Sequence, residues 1–500
     1  MMILKKYKNL WLLAFAVILI TSCETDSDDW YPTVVEAVPV SAGSANLTTY
    51  VSVGNSLTAG YTDGALFQAS QSTSMPNLLA QKFAMVGGGS FTQPMTNDNV
   101  GGLLLGGFQI QEPRLYFNGA GPVRIDGTPT NEITTGTPGP YNNMGVPGAK
   151  SFHLLANGYG NVAGVPTGQA NPYYARMASS PNAAVIEDAL AMNPTFFSLW
   201  IGANDVLSYA TTGGYGLNQT GNFDPSTYGP DDITDPNVFA GTYSALLDAL
   251  TANGSQGVAL NVPYVTTIPY FTTVPYNAIP LDAATAGAVN SGYAPYNGGL
   301  LAAEAGGLIT ASERAARTVN FAAGQNAVVM VDEYLTDLSA LGLPSYRHAT
   351  SDDLLILPSS SFLGTTVGGN PLLVNGVSVP LDDNWVLSVD EVAEVTVATD
   401  QYNGAIAQLV AQKGLAFVDA NAIMQQIANG GLPFDDFTMQ ANLVLGLTFS
   451  LDGVHPTARG YAYLANEILK AIDATYGSNF EEAGTLLKAA DYTTFYPASF

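Results

Sequence analysis

Apolar residues along this chain fall in short solid blocks instead of alternating with polar ones. β-Branched and aromatic runs occupy 48–53, 196–201, 257–263, 327–332 and 415–418, and each stops at a glycine, proline or aspartate. Blocks so short and so uniformly apolar predict strands buried on both faces, as in a parallel sheet, not the half-exposed strands of an antiparallel one. Helical stretches are predicted at 238–252, 388–413 and in the later part of 452–475. Ser388 reads as an N-cap, with Glu391 at the third helical position closing a capping box. Asp235-Pro236 reads as another cap followed by proline in the first turn. Strand followed by helix recurs without any fixed-period repeat or break in composition. That order belongs to an α/β fold with helices on both faces of a mainly parallel sheet.

Between these elements lie four segments rich in Gly, Pro, Asn, Thr and aromatic residues: 85–140, 211–236, 264–300 and 345–385. They read as large insertions. The first is a loop layer, the third an irregular aromatic-lined segment, and the last loop and hairpin; 143–155 reads as a loop entering a helix. Residues 47–480 then form one domain and 481–500 a C-terminal tail. Asp224, Asp231, Asp232 and Asp235 in the second insertion carry the oxygen ligands that calcium takes. They lack the spacing of a calcium-binding loop, so capping and solvation are their expected roles, and no metal or cofactor is expected.

The N-terminus carries an address. Lys5, Lys6 and Lys8 precede an uninterrupted apolar run at 10–20. The run is shorter than the roughly 20 residues a membrane-spanning helix needs and reads as a secretory segment. Leu19-Ile20-Thr21-Ser22 leads into Cys23, the chain's one cysteine. This resembles the lipobox of bacterial lipoproteins. The resemblance implies a signal peptide over 1–22, cleavage before Cys23, lipidation of its thiol, and an acidic linker over 23–46. Glu24, Asp26, Asp28 and Asp29 resemble the surface-export signals of Bacteroidota lipoproteins. The implied location is the cell envelope, at the outer membrane and facing outward, with membrane contact through the lipid anchor only.

Charge narrows the choice of partner. Acidic residues outnumber basic ones 41 to 15, for a net charge of −26, and such a surface repels nucleic-acid phosphates. The lone cysteine leaves no intrachain disulfide and no cysteine-based zinc site. Histidine chemistry has three candidates: His153, His348 and His455.

Four short sequences carry candidate chemistry. Gly54-Asn55-Ser56-Leu57 follows the first predicted strand, which puts a serine at a strand-to-helix turn on the carboxyl edge of the sheet, beside backbone N–H groups that favour an anion. Gly145-Val146-Pro147-Gly148-Ala149 offers glycines that let a substrate oxygen approach the backbone. Gly202-Ala203-Asn204-Asp205 ends another strand, and an asparagine amide can donate to a developing oxyanion without bringing a charge. Asp452-Gly453-Val454-His455-Pro456 precedes the last helix, with acid and imidazole three residues apart on one turn. The acid can fix the imidazole tautomer and leave the other ring nitrogen to take a serine proton. Taken singly, each also fits a cap, a turn or a surface pair.

Together and in this order they resemble the conserved blocks of the SGNH hydrolases, the GDSL-type esterase and lipase family, from about residue 48 to about 475. The resemblance implies a three-layer α/β/α, flavodoxin-like fold. It implies that Ser56 is the nucleophile, His455 the general base and Asp452 the residue that orients it. It also implies an oxyanion hole built from the backbone N–H groups of Ser56 and Gly148 and the side chain of Asn204, with Gly145 an alternative donor to Gly148. Asn55 departs from the pattern, standing where the family has aspartate. That aspartate is not the triad acid, so Asn55 is expected to alter how the loop is held. No G-x-S-x-G nucleophile elbow occurs in the chain, and His153 and His348 are expected to be structural. The implied activity is hydrolysis of a carboxylic ester, of an acyl lipid or an acylated glycan, without cofactor. The alternative is a non-catalytic surface lipoprotein that binds glycan or a partner through its aromatic loops.

Overall fold

In the computed structural model, which describes residues 38–500, four of the five apolar blocks become strands of one parallel sheet. The strands are β1 (Tyr50–Gly54), β2 (Asn143–Gly145), β3 (Phe196–Trp200), β4 (Gln256–Leu260) and β5 (Ala416–Val418). Their spatial order is β2-β1-β3-β4-β5, and every neighbouring pair is parallel. This is the flavodoxin-like order, in which the winding reverses between β1 and β3 and opens a crevice beyond the carboxyl ends of those strands. The signal peptide 1–22, Cys23 and the linker as far as residue 37 lie outside the described residues.

Side chains alternate across the sheet. Val51, Val53, Phe197 and Leu199 face one layer, with Val185, Phe239, Tyr243 and Tyr402. Tyr50, Phe196, Val258 and Leu260 face the other, with Leu79, Phe83, Ile468 and Leu469. Nine helices matter to the account: α1 (Ser56–Ala59), α2 (Met75–Phe83), α3 (Val185–Ala191), α4 (Asn204–Thr211), α5 (Pro236–Thr251), α6 (Ala283–Ala305), α7 (Val389–Lys413), α8 (Ala420–Ala428) and α9 (Ala458–Tyr476). Helices α3, α5 and α7 cover the first face, α2 and α9 the second. The capping box at Ser388 and Glu391 starts α7, and Asp235 caps α5 through the N–H groups of Asn237 and Val238.

Three expectations from the sequence are corrected. Residues 143–145, read as loop, form edge strand β2. Their sequence, Asn-Met-Gly, lacks β-branched residues, and β1 supplies the pairing, with Ser52, Val53 and Gly54 aligned to Asn143, Met144 and Gly145. The block at 327–332 does become a strand, Val329–Val331, but it pairs antiparallel with Tyr346–His348 outside the central sheet. Residues 264–300, read as irregular, contain much of α6, a helix of 23 residues with Pro295 inside it. Burial of Tyr293, Tyr296 and Leu300 against Val329, Met330, Leu355 and Leu381 overrides the local proline and glycine preferences. The last two insertions and the strand between them are thus one lobe with its own core.

The first insertion carries two small hairpins, Leu103–Leu105 with Phe108–Gln111 and Leu115–Phe117 with Pro122–Arg124. Residues 40–500 make one compact unit. Among the described residues no helix is long and apolar enough to cross a membrane.

Candidate active site

Register builds the site. Gly54 at the end of β1 is aligned with Gly145 of β2 on one side and Trp200 of β3 on the other. The three loops that follow therefore leave the sheet at one level, and Ser56, Gly148 and Asn204 line one open cleft together with His455. Close approach of β2 to α1 requires a glycine: a Cβ on Gly145 would lie 2.3 Å from the backbone nitrogen of Ala59.

Ser56 opens α1 and is 6% exposed. Asn55 Oδ1 caps this short helix by accepting from Leu57 N at 3.0 Å. Asn55 is fully buried and its Nδ2 has no hydrogen-bond partner. An amide thus serves the capping role that a carboxylate could fill, at the cost of one orphaned donor.

His455 arrives from the far end of the chain, on the loop before α9. Its Nε2 is 2.9 Å from Ser56 Oγ, and its Nδ1 is 2.9 Å from Asp452 Oδ2. The loop is fixed by Ser450 N donating to His455 O at 2.8 Å and by Thr457 Oγ1, which caps α9 by accepting from Gly460 N. Asp452 Oδ1 accepts from Val454 N and His455 N, each at 2.9 Å, and from Ser450 Oγ at 3.0 Å. Its Oδ2 also accepts from Gly64 N at 2.8 Å. Burial pushes the Asp452 carboxyl up, but the charge and hydrogen bonds of His455 and the N–H of Val454 outweigh it and hold the group well below the usual carboxylate range. The ring of Tyr61 covers the imidazole at 4.6 Å between centroids.

Donors line the same cleft as the serine. Among the described residues, the backbone N–H groups of Ser56 and Gly148 meet no acceptor. Gly148 has φ +81°, a left-handed conformation that suits glycine. Asn204 Nδ2 spends one proton on Ala149 O at 2.9 Å and keeps the other. Asp205 ties the two loops together by accepting from Ser151 N at 2.8 Å and Ser151 Oγ at 2.7 Å. Gly145 is not a free donor: its N–H is held by the side-chain Oδ1 of Asn143 at 3.0 Å. That removes it as the alternative to Gly148.

The other histidines lie outside the cleft. His153 Nδ1 accepts from Lys150 N at 3.1 Å, and its ring stacks on Tyr159. Burial, helped by Lys150, pushes its pKa down to about 3, so it stays neutral. His348 Nε2 accepts from Asn320 N at 3.1 Å. In the acidic segment, Asp232 accepts from the N–H groups of Leu217 and Gly229, Asp235 from Gly221, and Asp224 from Ser226. These carboxylates fix a loop.

Two spaces meet at the serine. The open cleft, past Gly148 and Asn171, is the more polar of the two and is shaped by Tyr61 and Tyr173. A narrow apolar cavity runs the other way, beneath Trp200 and between α8 and α9, past Ile268, Ile423, Ile427 and Leu464. Ser56, Asn204, Leu207 and His455 border both. Sequence reasoning missed Tyr61, Asp63, Gly64 and Ser450, which brace the Asp452 loop. Asp63-Gly64 carries a turn signal, but nothing local couples it to residues near 450.

No protein-family model matches this chain, and a search of curated proteins finds no match. Among solved structures, the extracellular lipase of Streptomyces rimosus aligns over 85% of this chain and 98% of that one, at 12% identity and a TM-score of 0.29.

Proposed function

We propose that the chain is a serine-dependent carboxylic ester hydrolase of the SGNH type. The observation that carries this is the unbroken line from Asp452 through His455 to Ser56, ending beside free N–H donors. Ser56 Oγ attacks the ester carbonyl while His455 Nε2 takes its proton. The N–H groups of Ser56 and Gly148 and the Asn204 amide receive the oxyanion. The imidazolium returns the proton to the leaving alcohol, and an acyl-Ser56 ester remains. Water then attacks it, with His455 as base, and releases the acid. Asp452 stays ionised and steadies the imidazolium.

The acyl chain occupies the apolar cavity and the alcohol the more polar open cleft. Each buried methylene contributes about 0.8 kcal/mol, so an alkyl chain gains more from the cavity than a sugar would. A fluorophosphonate probe tests the chemistry. Labelling that is lost in Ser56→Ala supports it, and labelling that persists or never occurs sinks it. A p-nitrophenyl ester series from acetate to palmitate tests the acyl assignment, with kcat/KM rising from acetate to longer chains.

The envelope location rests on the lipobox resemblance at Cys23. Radiolabelled palmitate incorporated into the native chain but not into Cys23→Ala supports lipid anchoring, and equal labelling of both overturns it.

A further inference from the structure

Outside the spaces that meet at the serine, one group of carboxylates stands together without a cationic partner. Glu333 follows the strand Val329–Val331, Asp383 lies in the turn before α7, and Glu391 is in the first turn of α7. One carboxylate oxygen from each lies within 4.8 Å of the other two. No lysine or arginine among the described residues forms an ion pair with any of them, and nearby Arg347 is taken by Asp332 and Asp353.

Exposed acids often cluster without consequence, but Glu391 is not exposed. It is fully buried, its Oε2 accepts from Ser388 N at 2.6 Å, and its Oε1 is buried with no hydrogen-bond partner. A buried carboxylate oxygen left unpaired beside two more carboxylates is costly. Something positive must sit among them, either a shared proton or a cation.

We propose that Glu333, Asp383 and Glu391 form a calcium site. The ligands are all oxygen, with no histidine or cysteine, which selects a hard cation. Calcium takes six to eight oxygens at about 2.3–2.6 Å in a flexible geometry and tolerates a loosely built set of carboxylates, whereas magnesium demands a near-ideal octahedron at about 2.0–2.1 Å and gives up its waters reluctantly. Glu333 and the half-exposed Asp383 leave room for the waters that complete the shell.

The ion would brace three separate segments. Glu333 and Asp383 belong to the lobe and Glu391 to the start of α7. The chain just after α4 packs against them: a Cβ on Gly214 would lie 1.7 Å from Glu391 Oε1, and one on Gly213 would lie 2.4 Å from Asp383 O. Helix α4 begins at Asn204, so the site lies just beyond the far end of the helix that carries it.

The test uses the purified full chain stripped with EDTA. Calcorimetric titration with CaCl2 is expected to give one saturable site, and the melting temperature is expected to rise by a few degrees in CaCl2 over EDTA, with a smaller rise in MgCl2. Glu391→Gln, whose amide oxygen can still accept from Ser388 N, is expected to weaken calcium binding at least tenfold. Asp383→Asn, on the solvent side, repeats the test should the first variant fold poorly. Asp224→Asn, in the self-contained loop, keeps wild-type affinity. No heat of binding and no calcium-dependent melting shift would mean a shared proton only and would overturn the proposal. Undiminished affinity in both Glu391→Gln and Asp383→Asn would overturn it equally.

Discussion

Asp63 and Ser450 lock the two ends of the chain together under the imidazole. Asp63 N donates to Ser450 Oγ at 2.9 Å, and Leu451 N donates to Asp63 Oδ1 at 3.0 Å. Ser450 Oγ in turn reaches Asp452, so the strap after α1 sets the height of the loop that carries His455.

Asp63 makes stability depend on pH. Burial, reinforced by the nearby charge of Asp452, pushes its carboxyl from 3.8 to about 7 against the pull of Leu451 N–H and Arg114. The folded chain then holds a proton that the unfolded chain releases. This contribution is complete below about pH 4 and is lost as pH rises through 7. Asp63→Asn, which tolerates the left-handed φ of +52° at this position, removes it. In urea titrations from pH 4 to 8, the stability of the wild type relative to the variant is expected to fall by roughly 4 kcal/mol. A constant difference across that range would place the proton elsewhere.

Replacing single groups at the serine separates their roles. Asp452→Asn is expected to lower kcat by about 10⁴, because the carboxylate that fixes the imidazole tautomer is gone. Asn204→Ala is expected to cost about 10²–10³ in kcat, with less effect on KM. Steady-state kinetics on one p-nitrophenyl ester measures both.

Filling the apolar cavity changes substrate length, not chemistry. Ile427 lies on α8 along the cavity, away from the triad contacts. Ile427→Trp is expected to abolish turnover of long-chain esters and leave acetate hydrolysis within a few-fold of wild type. Parallel loss on both would mean the cavity does not hold the acyl chain.

Gly145→Ala tests the fit of β2 against α1. The added methyl meets backbone, which cannot swing aside, so β2 or the serine turn must shift. Destabilisation of about 1–3 kcal/mol is expected, with activity falling as well. Thermal melts and esterase rates check the pair.

The sequence made three of the four chemistry-bearing turns visible because those at Ser56 and Asn204 follow solid apolar strands and that at His455 precedes a capped helix. The strands at 50–54, 196–200, 256–260 and 416–418 needed only local information: β-branched and aromatic runs closed by turn residues. Edge strand β2 carried no such signal, because its partner makes it a strand. Helix α6 was hidden for the same kind of reason, since Pro295 and its glycines argue for loop while the burial of Tyr293 and Tyr296 decides otherwise. The strap at Asp63 and the carboxylates at Glu333, Asp383 and Glu391 join segments remote in sequence, and no period or motif links them.

The alignment of Gly54 with both Gly145 and Trp200 makes the gathering of Ser56, Gly148 and Asn204 in one cleft a by-product of correct strand pairing. A slip of one residue between β1 and β3 would move Asn204 about 3.3 Å relative to Ser56 and turn Val51 and Val53 toward the wrong layer. The chain therefore proofreads its own cleft: an isomer misaligned enough to part Asn204 from Ser56 has also lost its core and does not persist.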